Sequence, residues 1–259
     1  MQHSEIVKQI YWRDLTKLSL KEMLIENNLT IPWALASWGL AYFGYYAFAL
    51  PFSALFFLTA LRQVHNGFHN SLGTNRFLTW MTLFTNSILM MASMHAVKFN
   101  HIRHHKYCLG EEDYEGKSAG MTWLGAILYG PKHMYLIHKV ALELGNSKYR
   151  KNVAIELASI LIFTTIIFAF TIDFLIYHAI IMFLGEMLSA FFAVWSVHHD
   201  CEDETIARTQ RTKWKNIITY SMFYHLEHHL FPAVPTIKLP ELAKRIDEAL
   251  PELVKKNTF

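Results

Sequence analysis

HIRHH, residues 101–105, carries histidines at positions i, i+3 and i+4, and HLEHH, residues 225–229, repeats the spacing far downstream. On a helix those three positions share one face, so His101, His104 and His105 point one way, as do His225, His228 and His229. With 15 histidines in 259 residues, chance placement gives roughly 0.05 copies of this pattern, so two copies signal a shared task. HNGFHN, residues 65–70, adds His65 and His69 at i and i+4. Eight imidazoles are too many for one ion and suit two six-coordinate ions that keep open positions. Imidazole takes zinc, copper, iron or nickel, and the coordination number favours iron over tetrahedral zinc. The zinc-protease spacings HExxH and HxxEH are not what HLEHH spells, and a membrane haem pair would sit inside apolar spans rather than at their ends.

The surroundings are apolar. The chain is 53% hydrophobic and 15% aromatic, with a formal net charge of +3, too small to suggest nucleic acid as a partner. Residues 31–61 carry no charged side chain, and residues 153–197 carry only Glu156, Asp173 and Glu186. About 20 apolar residues cross a bilayer, so the first run is read as two spans turning near Pro51 and the second as two spans divided at Asp173. Segment 77–94 is apolar but contains Thr79, Thr82, Thr85, Asn86 and Ser87. If it crossed, the histidines before and after it would lie on opposite sides. It is therefore expected to be an interfacial or re-entrant helix, provided the histidines form one site. Lys and Arg precede the first and third spans and follow the fourth, while the connections near Pro51 and Asp173 have none, which places both termini and the histidines in the cytoplasm. The expected fold is all-α and a single domain over residues 1–259: four transmembrane helices, a cytosolic histidine-rich cap and an interfacial helix. One amphipathic helix is expected at the N-terminus, with no secretory signal, and another near the C-terminus. Cys108 and Cys201 are too few and too far apart for a disulfide framework.

HNGFHN, HIRHH and YHLEHHLFPAVP resemble the three histidine boxes of the membrane fatty acid desaturase and hydroxylase superfamily, in matching order over residues 31–239. The resemblance implies two iron ions that use O2 to oxidise an unactivated C–H bond of a lipid-like chain. It also implies a ninth histidine after the fourth span. VHHDCED, residues 197–203, is similar to the family's VQHxxED form, which makes His199 the ligand and His198 the alternative; adjacent helix positions differ by about 100°, so one of them serves. Asn66 stands where many members have Asp, with a changed hydrogen bond behind a ligand as the expected effect, and Val97 replaces a usual Trp. Asp113 matches a family Asp and is expected to orient a ligand imidazole. For Glu111, Glu112 and Glu115 a solvated loop is expected.

Glu186, mid-span, is expected to face the protein interior, in a substrate cavity or as a structural group. The expected reaction is fatty acyl desaturation, with hydroxylation or carotenoid ketolation as alternatives and a metal transporter as the rival from another class. Electrons are expected from a separate ferredoxin or cytochrome. The expected location is a bacterial inner membrane, with the site facing the cytoplasm.

Overall fold

The computed structural model describes residues 3–201 and 205–258. Among these the chain is helical, with one isolated bridge between Thr209 and Asn257. The N-terminal region is three pieces rather than one helix: α1 (His3–Gln9), a 3-10 turn (Arg13–Thr16) and α2 (Leu20–Asn28). The restart at α2 is written locally, since Ser19 and Glu22 form a reciprocal capping box that satisfies two free N–H groups of the first turn. Ile6, Ile10 and Leu15 pack with Leu226, Leu230, Phe231, Leu242 and Ile246 in the core of the cap.

α3 (Ile31–Tyr42) and α4 (Tyr46–Phe68) form the first hairpin. Its turn lies at residues 43–45, not near Pro51 as the sequence suggested. Gly44 adopts φ +79° there, a conformation open to glycine at little cost. Pro51 lies inside α4 as its sixth residue, and the helix runs on through it with one backbone hydrogen bond missing. α5 (Arg76–Met90) and α6 (Met94–Tyr107) follow, bent by 110° at the break between them. α4 ends on His65 and His69, α6 carries His101 to His105, and the two sets meet. The α5–α6 pair therefore leaves and returns to the same end of the bundle, as expected for a re-entrant segment.

α7 (Trp123–Leu144) has no counterpart among the elements expected from sequence. α8 (Ser147–Ala169) and α9 (Asp173–Met187) meet at the division expected at Asp173, with that carboxylate on the first turn of α9, where the helix dipole favours it. The chain continues through a π-helix (Ala190–Trp195) into the short α10 (Ser196–His198). Two helices, α4 and α8, are long and apolar enough by themselves to cross a membrane, and up to four segments are if the bent pairs α5–α6 and α9–α10 each count as one. Length alone thus supports two to four crossings. α11 (Lys213–Ile218), α12 (His225–Leu230) and α13 (Leu239–Ala249) complete the cap.

Polar contacts fix the bundle where apolar packing alone would let helices slide. Ser37 of α3 meets Ser53 of α4 at 2.8 Å, and Ser53 meets Tyr177 of α9 at 3.1 Å. His95 of α6 meets Glu156 of α8 at 2.5 Å. A Cβ on Gly130 of α7 would lie 1.6 Å from the Met187 carbonyl oxygen, so only glycine allows that approach.

Candidate metal centre

α12 seats the last box and α6 the second, each with its three histidines on one face, and α4 ends on the first. The side chains converge as two groups. His65, His69, His101, His105 and His228 form one; His104, His198, His225 and His229 form the other. Neighbouring boxes are thus split: His104 leaves its own box mates for the second group, and His228 leaves its mates for the first.

In the second group the Nε2 atoms close a ring: His104 to His198 at 3.0 Å, His198 to His225 at 2.9 Å, His225 to His229 at 3.1 Å and His229 to His104 at 3.2 Å. Each Nε2 has one in-plane site, either an N–H or a lone pair. It cannot serve two neighbours at once. His198 Nδ1 donates to the Ile206 carbonyl at 2.9 Å, an oxygen that can only accept, so its Nε2 presents a lone pair. A proton on any one Nε2 would satisfy one contact of the ring and leave the others as lone pair against lone pair. A cation among the four uses every lone pair together. In the first group His65 meets His228 at 2.7 Å, His228 meets His105 at 2.8 Å, His105 meets His101 at 3.1 Å and His101 meets His69 at 3.0 Å.

These separations fit ligands that share an ion. Two nitrogens each ~2.1 Å from one ion lie ~3.0 Å apart at a right angle and ~3.4 Å apart at the tetrahedral angle. Contacts of 2.7–3.2 Å are short enough for the nitrogens of each group to reach one shared ion. Burial, reinforced by the neighbouring imidazoles, holds His225, His228 and His229 well below the ordinary histidine range, so their lone pairs stay free for a metal.

Behind the imidazoles stand two carboxylates. Asp113 accepts from His104 Nδ1 at 2.7 Å and from the backbone N–H groups of Leu109 and Gly116, each at 2.8 Å. Burial pushes its carboxyl up, but the His104 contact and those N–H groups outweigh this and hold it below the usual range. The sequence reading takes Asp113 as an orienting group, and the structure places it against His104. Glu115 is a departure from expectation. Rather than solvated, it is buried and meets His101 Nδ1 at 3.0 Å, and burial pushes its carboxyl up to about 8. The signal was absent from sequence because the tight loop around Asp113, not a helical spacing, aims Glu115. Asp113→Asn and Glu115→Gln are each expected to weaken metal binding ~10–100-fold with the fold intact, as measured by competition with a calibrated chelator.

The structure reverses the preference at the ninth position. His198 is 1% exposed and sits in the second group. His199 turns away: its Nδ1 meets the Trp195 carbonyl at 2.8 Å and its ring stacks on Trp195 at 4.0 Å. The π-helix at Ala190–Trp195 changes the angular position of everything after it relative to a regular helix, and α10 stops at His198 as the backbone becomes extended. Glu202 and Asp203 of the VHHDCED motif lie outside the described residues.

Asn66 does not touch a ligand. Its Nδ2 donates to Glu26 at 2.9 Å, and its Oδ1 accepts from the backbone and hydroxyl of Thr236 at 3.0 and 2.8 Å. Glu26 is also paired with Arg62, which donates to the Tyr220 carbonyl at 2.6 Å. Asp at 66 would set one carboxylate against another, which accounts for Asn. Glu186 is buried one turn beyond Met182 of the bundle core, and its Oε1 has no hydrogen-bond partner.

The family model described as Fatty acid desaturase matches residues 43–257, a span that includes all three boxes and both imidazole groups. The chain belongs to the fatty acid desaturase family. A comparison with curated proteins returns no match. In this desaturase-family chain the buried histidine groups fit a di-iron oxidoreductase.

Proposed function

We propose that this protein desaturates a fatty acyl chain in a membrane, using two irons, O2 and two electrons from a separate ferredoxin or cytochrome. The observation that carries the reading is the convergence of nine Nε2 atoms into two groups, each close enough to share an ion. His65, His69, His101, His105 and His228 would hold one iron, and His104, His198, His225 and His229 the other. When bound, the irons supply activation of O2 for hydrogen removal from an unactivated carbon. The protein's part is to hold them: Asp113 and the Ile206 carbonyl fix the orientation of His104 and His198. The overall change balances as one –CH2–CH2– unit, O2, two protons and two electrons giving one –CH=CH– unit and two waters.

A lipid-like substrate is supported by an apolar groove of about 920 Å³ lined by Leu24, Leu29, Trp33 and Tyr220, with Lys21 beside it. The carbonyl of Tyr220, one of the lining residues, is held by Arg62, one turn before His65. Lys21 suits an anionic head group. The distribution of Lys and Arg supports a cytoplasmic orientation for the site.

The test is expression in a host with a compatible electron donor, followed by mass spectrometry of lipid extracts, with His198→Ala as control. A new species two mass units lighter is the expected result. One sixteen units heavier would replace desaturation by hydroxylation, and no oxygen-dependent change in any lipid would remove the acyl substrate.

A further inference from the structure

The geometry points to a polar cavity beside His198 as the port through which a divalent cation reaches the four-imidazole group. This inference rests on the metal-centre reading above and concerns how that centre is filled. The two groups differ in exposure. In the first, His69 and His105 are partly exposed, whereas His104, His198, His225 and His229 are all buried, at 1–8% exposure. On one side the second group is closed by the cap core, with Leu226, Leu230 and Phe231 packed among the last-box histidines. A divalent cation crosses such apolar packing only at prohibitive desolvation cost.

The cavity offers another route. Its volume is about 740 Å³, and it lies between the loop after the second box and the segment after α10, with His198 and Asp113 on its inner wall. Glu111, Lys117 and Asp200 line it further out, and the Asp200 carboxylate, 83% exposed, pairs with Arg208 at 3.3 Å. Oxygen ligands of this kind can replace the water of a hard divalent ion stepwise as it loses its hydration shell. At the inner end the ion meets His198, whose Nε2 lone pair is one corner of the ring described above. Carboxylate oxygens along the wall and an imidazole at the base give an ion a polar path to the group.

Gly120 gives a means of closing it. It lines the cavity, it is exposed, and a Cβ added there meets nothing within 4 Å. A large side chain would therefore fill open space without displacing backbone.

The experiment uses the full chain in detergent, stripped of metal with a chelator and mixed anaerobically with Co2+ alone. Uptake is followed by the visible absorbance of the bound ion and final occupancy by elemental analysis. Wild-type protein is expected to take up two equivalents. Gly120→Trp is expected to slow one of them at least tenfold, leaving the other equivalent and the final occupancy unchanged, while Gly120→Ala keeps the wild-type rates. Glu111→Gln combined with Asp200→Asn is expected to slow the same equivalent at least threefold, and this variant decides the matter if Gly120→Trp does not reach full occupancy. Rates within twofold of wild type for both equivalents in a fully loaded variant would overturn the port. Failure of wild-type protein to take up any metal would instead overturn the metal centre itself, and the port with it.

Discussion

His228→Ala is expected to remove iron and activity together. Wild-type protein should hold about two irons per chain, given nine imidazoles in two groups and six-coordinate preferences. His228 bridges its group, with its Nε2 2.7 Å from that of His65 and 2.8 Å from that of His105. Its loss removes a ligand outright, an effect larger than the ~10–100-fold that follows loss of an outer partner. The variant should retain one iron or none by elemental analysis, with oxygen-dependent turnover below ~1% of wild type, a loss of more than ~2.7 kcal/mol of transition-state stabilisation. His104→Ala should behave alike from the other group. Two irons and undiminished turnover in either variant would remove that histidine from the centre, and stoichiometric zinc in iron-replete wild-type protein would sink the di-iron assignment.

The second large effect separates two adjacent residues. His198→Ala should abolish turnover and release metal from the second group, because the remaining ring of His104, His225 and His229 loses one corner and the Ile206 carbonyl loses its donor. His199→Ala should keep both irons and most of the activity, since the lost contacts are a stack on Trp195 and one hydrogen bond to a backbone carbonyl. Its cost should appear as a modest loss of thermal stability, on the order of 1 kcal/mol. Metal content and turnover measured on the pair decide the ninth position. If His199→Ala lost the metal and His198→Ala kept it, the geometry of α10 would be refuted.

Legibility followed the range of the interactions. The eight box histidines could be read because i, i+3 and i+4 define a helix face wherever the helix lies. Asp173 could be read as a boundary because a charge between two apolar runs belongs at an end. The bend of 110° between α5 and α6 agrees with the need to bring both boxes to one side. The turn at Gly44 was misplaced to Pro51 because a proline usually marks a helix end, whereas here α4 runs through it and the positive φ of Gly44 is not visible in a residue string.

What the sequence by itself determined is the histidine boxes and the helix face each occupies, the apolar setting and the family. Those depend on residue identity and local spacing. What only the tertiary structure decided is the partition of the ligands. His104 groups with the last box and His228 with the first, Glu115 rather than a solvent contact stands behind His101, and His198 rather than His199 completes the second group. Each of these depends on how separate segments are rotated against one another, by a bent helix pair, a hydrogen-bonded loop and a π-helical turn. Rotation of that kind is set by packing between elements distant in the chain, so no window of neighbouring residues contains it.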